Sequence, residues 1–163
     1  MDILNLPAAA DPARVIAVAR QWLGTPYHDQ ASVKGVGCDC AGLARGIWRE
    51  LVGEEPARLP AYSRDWGEVG SRETFADFVR PFLIEISIAT AGPGSLLLFR
   101  MRREGPAKHC GVLVDDGTFI HALERHGVVT QSYDAVWQRR TAFAFLFPAF
   151  ASDGNTGLQV PVL

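Results

Sequence analysis

The apolar pattern of this chain changes period once, at Ala91-Gly92-Pro93-Gly94. Before that turn apolar residues recur at helical spacing; after it they run in short stretches bounded by turn residues. Asp11-Pro12 opens the first helix, because Asp11 can accept from free amides and Pro12 suits the first helical position. Val15, Val18, Ala19, Trp22 and Leu23 form its stripe; Gly24 stops it and Pro26 lies beyond. Residues 27–37 read as a loop. A second helix is predicted from near Cys40 to about Leu51, with Leu43, Ile47 and Leu51 on one stripe. Gly42 and Gly46 lie on another stripe, where a neighbouring element can pack closely. Residues 52–70 read as a long surface loop, and a short third helix is predicted over 71–79, limited by Pro81.

Beyond the turn, strands are predicted over residues 96–100, 109–114, 118–123, 128–133 and 142–147. Asp115-Asp116-Gly117 joins the second and third as a hairpin. Helices first and strands second imply an α+β fold, with N-terminal helices packed on an antiparallel sheet. A chain of 163 residues, 48% hydrophobic and 21% charged, suits one domain with one core. That domain is placed at residues 1–150. Residues 151–163 read as a C-terminal extension, flexible at Gly154 and Gly157 and apolar at its end, suited to docking on a partner.

A net charge of −2 argues against nucleic acid as a partner. Two short basic runs, 100–103 and Arg139-Arg140, read as solvated faces. No stretch has the length for membrane insertion, and residues 1–10 lack the pattern of a signal peptide. The expected site of synthesis is therefore the cytoplasm, without a Sec-type address.

Three cysteines, Cys38, Cys40 and Cys110, do not make a complete disulfide framework. Cys40 follows a Gly-rich loop and opens a helix, where unpaired amides and the helix dipole stabilise a thiolate. The same amides can donate to an oxyanion. A lone cysteine is more often a buried structural residue, and the helix-start position reverses that reading only if a base is found. His109 and His121 flank the predicted hairpin turn. If Val114 faces Thr118, then Gly111 faces His121 and His109 faces Leu123. The two histidines then share a face one diagonal step apart, about 7 Å between β-carbons. One can orient the other as the third member of a catalytic triad; a slip of one residue would separate them. A zinc site built from Cys38, Cys40, His109, Cys110 and His121 is the competing reading. The one-residue gap between Cys38 and Cys40 and the opposite facing of His109 and Cys110 argue against it. No metal and no organic cofactor is required.

Gly24-Thr25-Pro26-Tyr27, Asp39-Cys40-Ala41-Gly42-Leu43, residues 93–99, His109-Cys110-Gly111-Val112 and Phe119-Ile120-His121-Ala122 occur in that order. Together they resemble the signature blocks of NlpC-type peptidases. The resemblance implies a papain-like fold and a cysteine endopeptidase that cuts peptidoglycan stem peptides, often between D-Glu and the diamino acid. It implies Cys40 as nucleophile, His109 as base and His121 as the orienting residue. Tyr27, Asp39 and Ala41 match substrate-site positions, although Ala41 stands where serine is common and Ser95 where aspartate is common. Gln30 to Cys40 and Pro60 to Trp66 resemble, more narrowly, the cell-wall peptidases of phage tails and gene transfer agents. That implies tail hub or tip proteins as partners and delivery to the wall by a tail particle. The alternatives are a non-catalytic tail component on the same fold, or an amidase or acyltransferase using the same triad.

Overall fold

The structure is a computed structural model and describes residues 7–62, 72–115 and 117–149. Helix α1 spans Pro12–Gln21, with Asp11 accepting from the amide of Ala13 at 3.0 Å. Strands β1 (Ser32–Val33) and β2 (Gly37–Cys38) pair as a small hairpin inside the segment read as loop. Helix α2 spans Cys40–Leu51, as its stripe requires, and α3 spans Thr74–Val79. Next come β3 (Ile84–Ile86), β4 (Leu96–Arg100), β5 (Ala107–Leu113), β6 (Thr118–Leu123) and β7 (Gly127–Ser132). Helix α4 (Ala135–Arg140) and β8 (Thr141–Leu146) complete the order.

The large strands form one six-stranded antiparallel sheet in the order β3-β8-β4-β5-β6-β7. Helices α1 and α2 cover one face. Val15, Val18, Leu43 and Ile47 pack there with Leu96, Leu98, Cys110, Val112, Ile120 and Ala122. The other face carries Leu97, Phe99, Leu113 and Phe119 under Trp137 of α4. Alternate strand residues thus serve two apolar clusters, which explains the near-continuous apolar runs of β4 to β6.

The small residues of α2 set how closely its neighbours approach. A β-carbon on Gly46 would sit 1.9 Å from the indole of Trp22, and one on Gly42 would sit 1.8 Å from the carbonyl oxygen of Ala31. Trp22 therefore packs directly against α2, with its Nε1–H donating to Glu50 at 3.1 Å. The loop before β1 is pressed onto the first turn of α2. Like the β1–β2 hairpin, β3 and α4 lie outside the predicted elements. β3 is three residues long and is held by pairing to β8, more than fifty residues away in sequence. Helix α4 carries a local signal in its N-cap: Asp134 accepts from the amides of Val136 and Trp137 at 2.9 and 3.1 Å.

Candidate active site

Cys40 is the first residue of α2, and Asp39 is its N-cap, accepting from the amide of Gly42 at 2.7 Å. The amides of Cys40 and Ala41 find no acceptor among the described residues. The cap thus leaves the donors beside the sulfur free for an anion. The Cys40 sulfur is 3.9 Å from the carbonyl oxygen of Lys108, at the start of β5. Its thiol is held well below the ordinary range. The leading cause is a hydrogen bond from the Cys110 thiol, opposed by burial, followed by the charge and hydrogen bond of His109. Cys110, on the helix-facing side of β5, has its S–H close enough to donate to the Cys40 carbonyl at 3.1 Å. Rotation of that S–H bond turns it toward the Cys40 sulfur instead. The Cys110 thiol is correspondingly raised. Cys110 was expected to be a small core residue; it is in the core, at 1% exposure, and it also touches the candidate nucleophile.

The register of β5 on β6 is the one expected, with Val112 opposite Ile120 and Leu113 opposite Phe119. His109 and His121 share a face, and His109 Nε2 lies 2.8 Å from His121 Nδ1. Gly111 between them is required by space. A β-carbon there would meet Phe119 at 2.7 Å, the Ile120 carbonyl at 3.0 Å and the His121 β-carbon at 3.1 Å.

A fourth residue, Gln131, extends the row: His121 Nε2 lies 2.8 Å from Gln131 Oε1. The amide oxygen only accepts, so His121 Nε2 carries the proton. Burial, and then the charge of His109, pushes the His121 imidazole down to about 4, so it is neutral at pH 7. Its Nδ1 is then bare and accepts from His109 Nε2–H. That leaves His109 Nδ1 to exchange a proton with Cys40. With the amide reversed, a doubly protonated His109 would set two N–H groups against each other across 2.8 Å. Gln131 was not singled out from the sequence. In the β6–β7 hairpin Val129 opposes His121 and Gln131 opposes Phe119, so Gln131 is the diagonal neighbour on the same face.

Aromatic rings close this face. Trp137 lies 6.0 Å from the His109 ring and 5.3 Å from that of His121, centroid to centroid, while Phe119 lies 4.6 Å from His121. They exclude water from the imidazole pair, which strengthens each hydrogen bond in it.

The three positions matched to a substrate site differ in what they present. Tyr27 is half-buried, and burial raises its phenol to about 12, so it is a neutral donor at pH 7. Asp39 is 2% exposed and already engaged. Besides Gly42, it accepts from the amide of Gln30 at 2.7 Å and from the hydroxyl of Tyr62. Its side chain shapes the first turn of α2. Ala41 is 3% exposed, with its methyl in the core and facing an apolar cavity shared with Phe75, Leu83 and Phe147. In this structure Asp39 thus acts through the first turn of α2 and Ala41 lies in the core beside it. Cys38 is fully buried on β2, and desolvation lifts its thiol to about 12. Among the described residues no three His, Cys, Asp or Glu side chains converge as metal ligands.

The family model described as NlpC/P60 matches residues 24–145. Murein DD-endopeptidase MepS/Murein LD-carboxypeptidase of Escherichia coli K12 is 27% identical over 129 residues, covering 78% of this chain and 58% of that protein. Gamma-DL-glutamyl hydrolase of Bacillus subtilis 168 is 30% identical over 129 residues, covering 77% of this chain and 27% of that protein. The chain thus spans little more than half, or less, of the length of these relatives. Among solved structures, the NlpC/p60 domain of the peptidoglycan hydrolase SagA superposes with a TM-score of 0.56 at 23% identity, covering 83% of this chain and 98% of that one. An NlpC/P60 family protein from Bacillus cereus gives 0.57 at 18% identity, covering 83% and 40%. These two likenesses bear out the mixed α+β fold with its antiparallel sheet. The matched segment takes in Cys40, both histidines and Gln131, and the chain belongs to the NlpC/P60 family.

Proposed function

We propose that this chain is a cysteine endopeptidase that hydrolyses peptidoglycan stem peptides, at the bond between D-Glu and the diamino acid. The observation that carries the reading is the continuous row from the lowered Cys40 thiol through His109 and His121 to Gln131. The names of the relatives, a murein endopeptidase and a gamma-glutamyl hydrolase, support the substrate class.

Cys40 passes its proton to His109 and attacks the scissile carbonyl carbon as a thiolate. The free amides of Cys40 and Ala41 donate to the oxyanion. His109, doubly protonated and held by His121 through Nε2, returns a proton to the leaving amine from Nδ1 as the C–N bond breaks. A water molecule, deprotonated by His109, then attacks the thioester; the carbon–sulfur bond breaks and Cys40 is restored. Digestion of purified peptidoglycan with mass analysis of the products tests this. Wild-type protein should release fragments cut after D-Glu, and Cys40→Ala should release none. Full activity of Cys40→Ala would remove the mechanism.

The reading extends to delivery. A phage-like tail particle, contacting the chain through hub or tip proteins, carries it to the wall. Residues 30–40 and 60–66 support this by their resemblance to tail and gene-transfer-agent peptidases. The parts of both that are described meet at Asp39, and the amide of Tyr62 also donates to Gln30 Oε1 at 3.3 Å. Residues 63–66 lie outside the described residues, as does the extension at 151–163. Expressed alone, the chain should stay in the cytoplasm without lysing the cell, and should act on the wall when given a secretion signal. Lysis by the unmodified chain would count against particle delivery.

A further inference from the structure

We infer that a basic groove beside the histidine row is a subsite for the carboxylates of an extended stem peptide. The inference rests on the peptidase reading above and adds where the rest of the substrate lies.

The two basic runs are far apart in sequence, one in the β4–β5 connection and one at the end of α4. The fold brings them together around an open groove lined by Arg100, Met101, Arg103, Val136, Arg139 and Arg140. A second concavity carries Arg102 and Lys108 and includes Glu104 as its acid. The cations of the first groove are unevenly neutralised. Arg100 is tied to Glu73. Arg103 and Arg139 have no carboxylate partner among the described residues, and Arg140 lies over the Trp137 ring at 5.1 Å. A chain of net charge −2 thus concentrates unpaired guanidinium groups on one face.

The groove adjoins the chemistry. From Arg140 to Trp137 is 5.1 Å and from Trp137 to His109 is 6.0 Å, so the guanidinium lies within about 11 Å of the His109 ring. An extended peptide advances about 3.3–3.6 Å per residue, so about three residues cover a span of that size, with Trp137 in contact with both the guanidinium and the imidazole. A peptide joined through a glutamate side chain keeps its α-carboxylate free, and its C-terminus adds another. The guanidinium fork donates to a carboxylate through two parallel N–H···O bonds, which a lysine cannot copy. Several carboxylates on one strand therefore match several arginines along one groove.

The test measures binding, so turnover does not enter. The full chain carrying Cys40→Ala is titrated with a disaccharide–tetrapeptide muropeptide, with free carboxyl groups and with those groups amidated. Arg103→Gln and Arg139→Gln are then added together; both residues are exposed, so the fold is retained. We expect amidation to weaken binding, and the double change to raise Kd for the free-carboxylate muropeptide about tenfold, as two partly exposed ion pairs allow. The amidated form should show no such change, and raised salt should shrink the difference. Equal Kd values with and without the two arginines overturn the inference. An equal loss on both muropeptides overturns it too, as does tighter binding of a glycerol phosphate oligomer. Failure of the wild type to cleave peptidoglycan is a separate result and would remove the peptidase reading instead.

Discussion

Replacing Gln131 by leucine keeps the volume of the side chain and removes the acceptor that His121 Nε2–H uses at 2.8 Å. His121 is fully buried, so no water takes over. A buried N–H left without a partner costs about 1–3 kcal/mol. The imidazole can escape that cost by moving its proton to Nδ1, but Nδ1 must be bare to accept from His109 Nε2–H. Either way the thiolate–imidazolium pair loses support of the same size. At about 1.36 kcal/mol per decade, kcat/KM should fall about 5- to 150-fold. Gln131→Glu keeps an oxygen acceptor and should retain most of the activity. A merely structural effect would lower both variants alike. The assay is the pH dependence of Cys40 alkylation by iodoacetamide beside muropeptide hydrolysis, with imidazole ¹⁵N shifts reporting the tautomer. In the wild type, the His121 proton should be on Nε2, and in Gln131→Leu the alkylation curve should move to higher pH. Wild-type kcat/KM and an unmoved curve in Gln131→Leu would refute the relay, as would an Nδ1–H tautomer in the wild type.

Gly111→Ala forces a methyl to within 3.1 Å or less of Phe119, Ile120 and His121. Overpacking of that kind costs about 1–3 kcal/mol, read by denaturant unfolding, and the displaced His121 should cost activity as well. The depressed His121 pKa makes a pH prediction. Between its folded value of about 4 and an unfolded value near 6.5, the unfolded chain binds more protons, so stability rises with pH through that window. The wild type should lose about 3 kcal/mol from this group between pH 7.5 and pH 4; unfolding of His121→Asn at both pH values should lack that share of the loss. Cys110→Ala removes the leading support of the Cys40 thiolate, so the alkylation midpoint should rise while the fold persists. Of the three cysteines Cys40 should alkylate fastest near pH 7, because Cys38 and Cys110 are buried with raised thiols. Peptide mapping of the labelled site checks this.

Much of this molecule is decided within a few residues of chain, and that part is legible in the sequence. Asp11-Pro12 and Asp39-Cys40 start helices where their capping chemistry says they should, because a cap acts on amides two or three residues away. The β5–β6 register is the one that strand alternation around residues 115–117 implies, and register places His109 and His121 on one face. Other features depend on contacts between distant segments. The strand β3 exists through its pairing with β8. Cys110 looks like any core cysteine until α2 lays the Cys40 backbone against it. Asp39 and Ala41 match substrate-site positions in one dimension, yet the packing of α2 turns one into a cap and the other into core. The tautomer of the histidine pair is set by Gln131, and the basic groove joins residues about 35 apart in sequence. Local amide chemistry and strand alternation are short-ranged and can be read along the chain. Burial, the shift of a titrating group and the meeting of charges depend on which distant surfaces touch, and only the folded chain determines that.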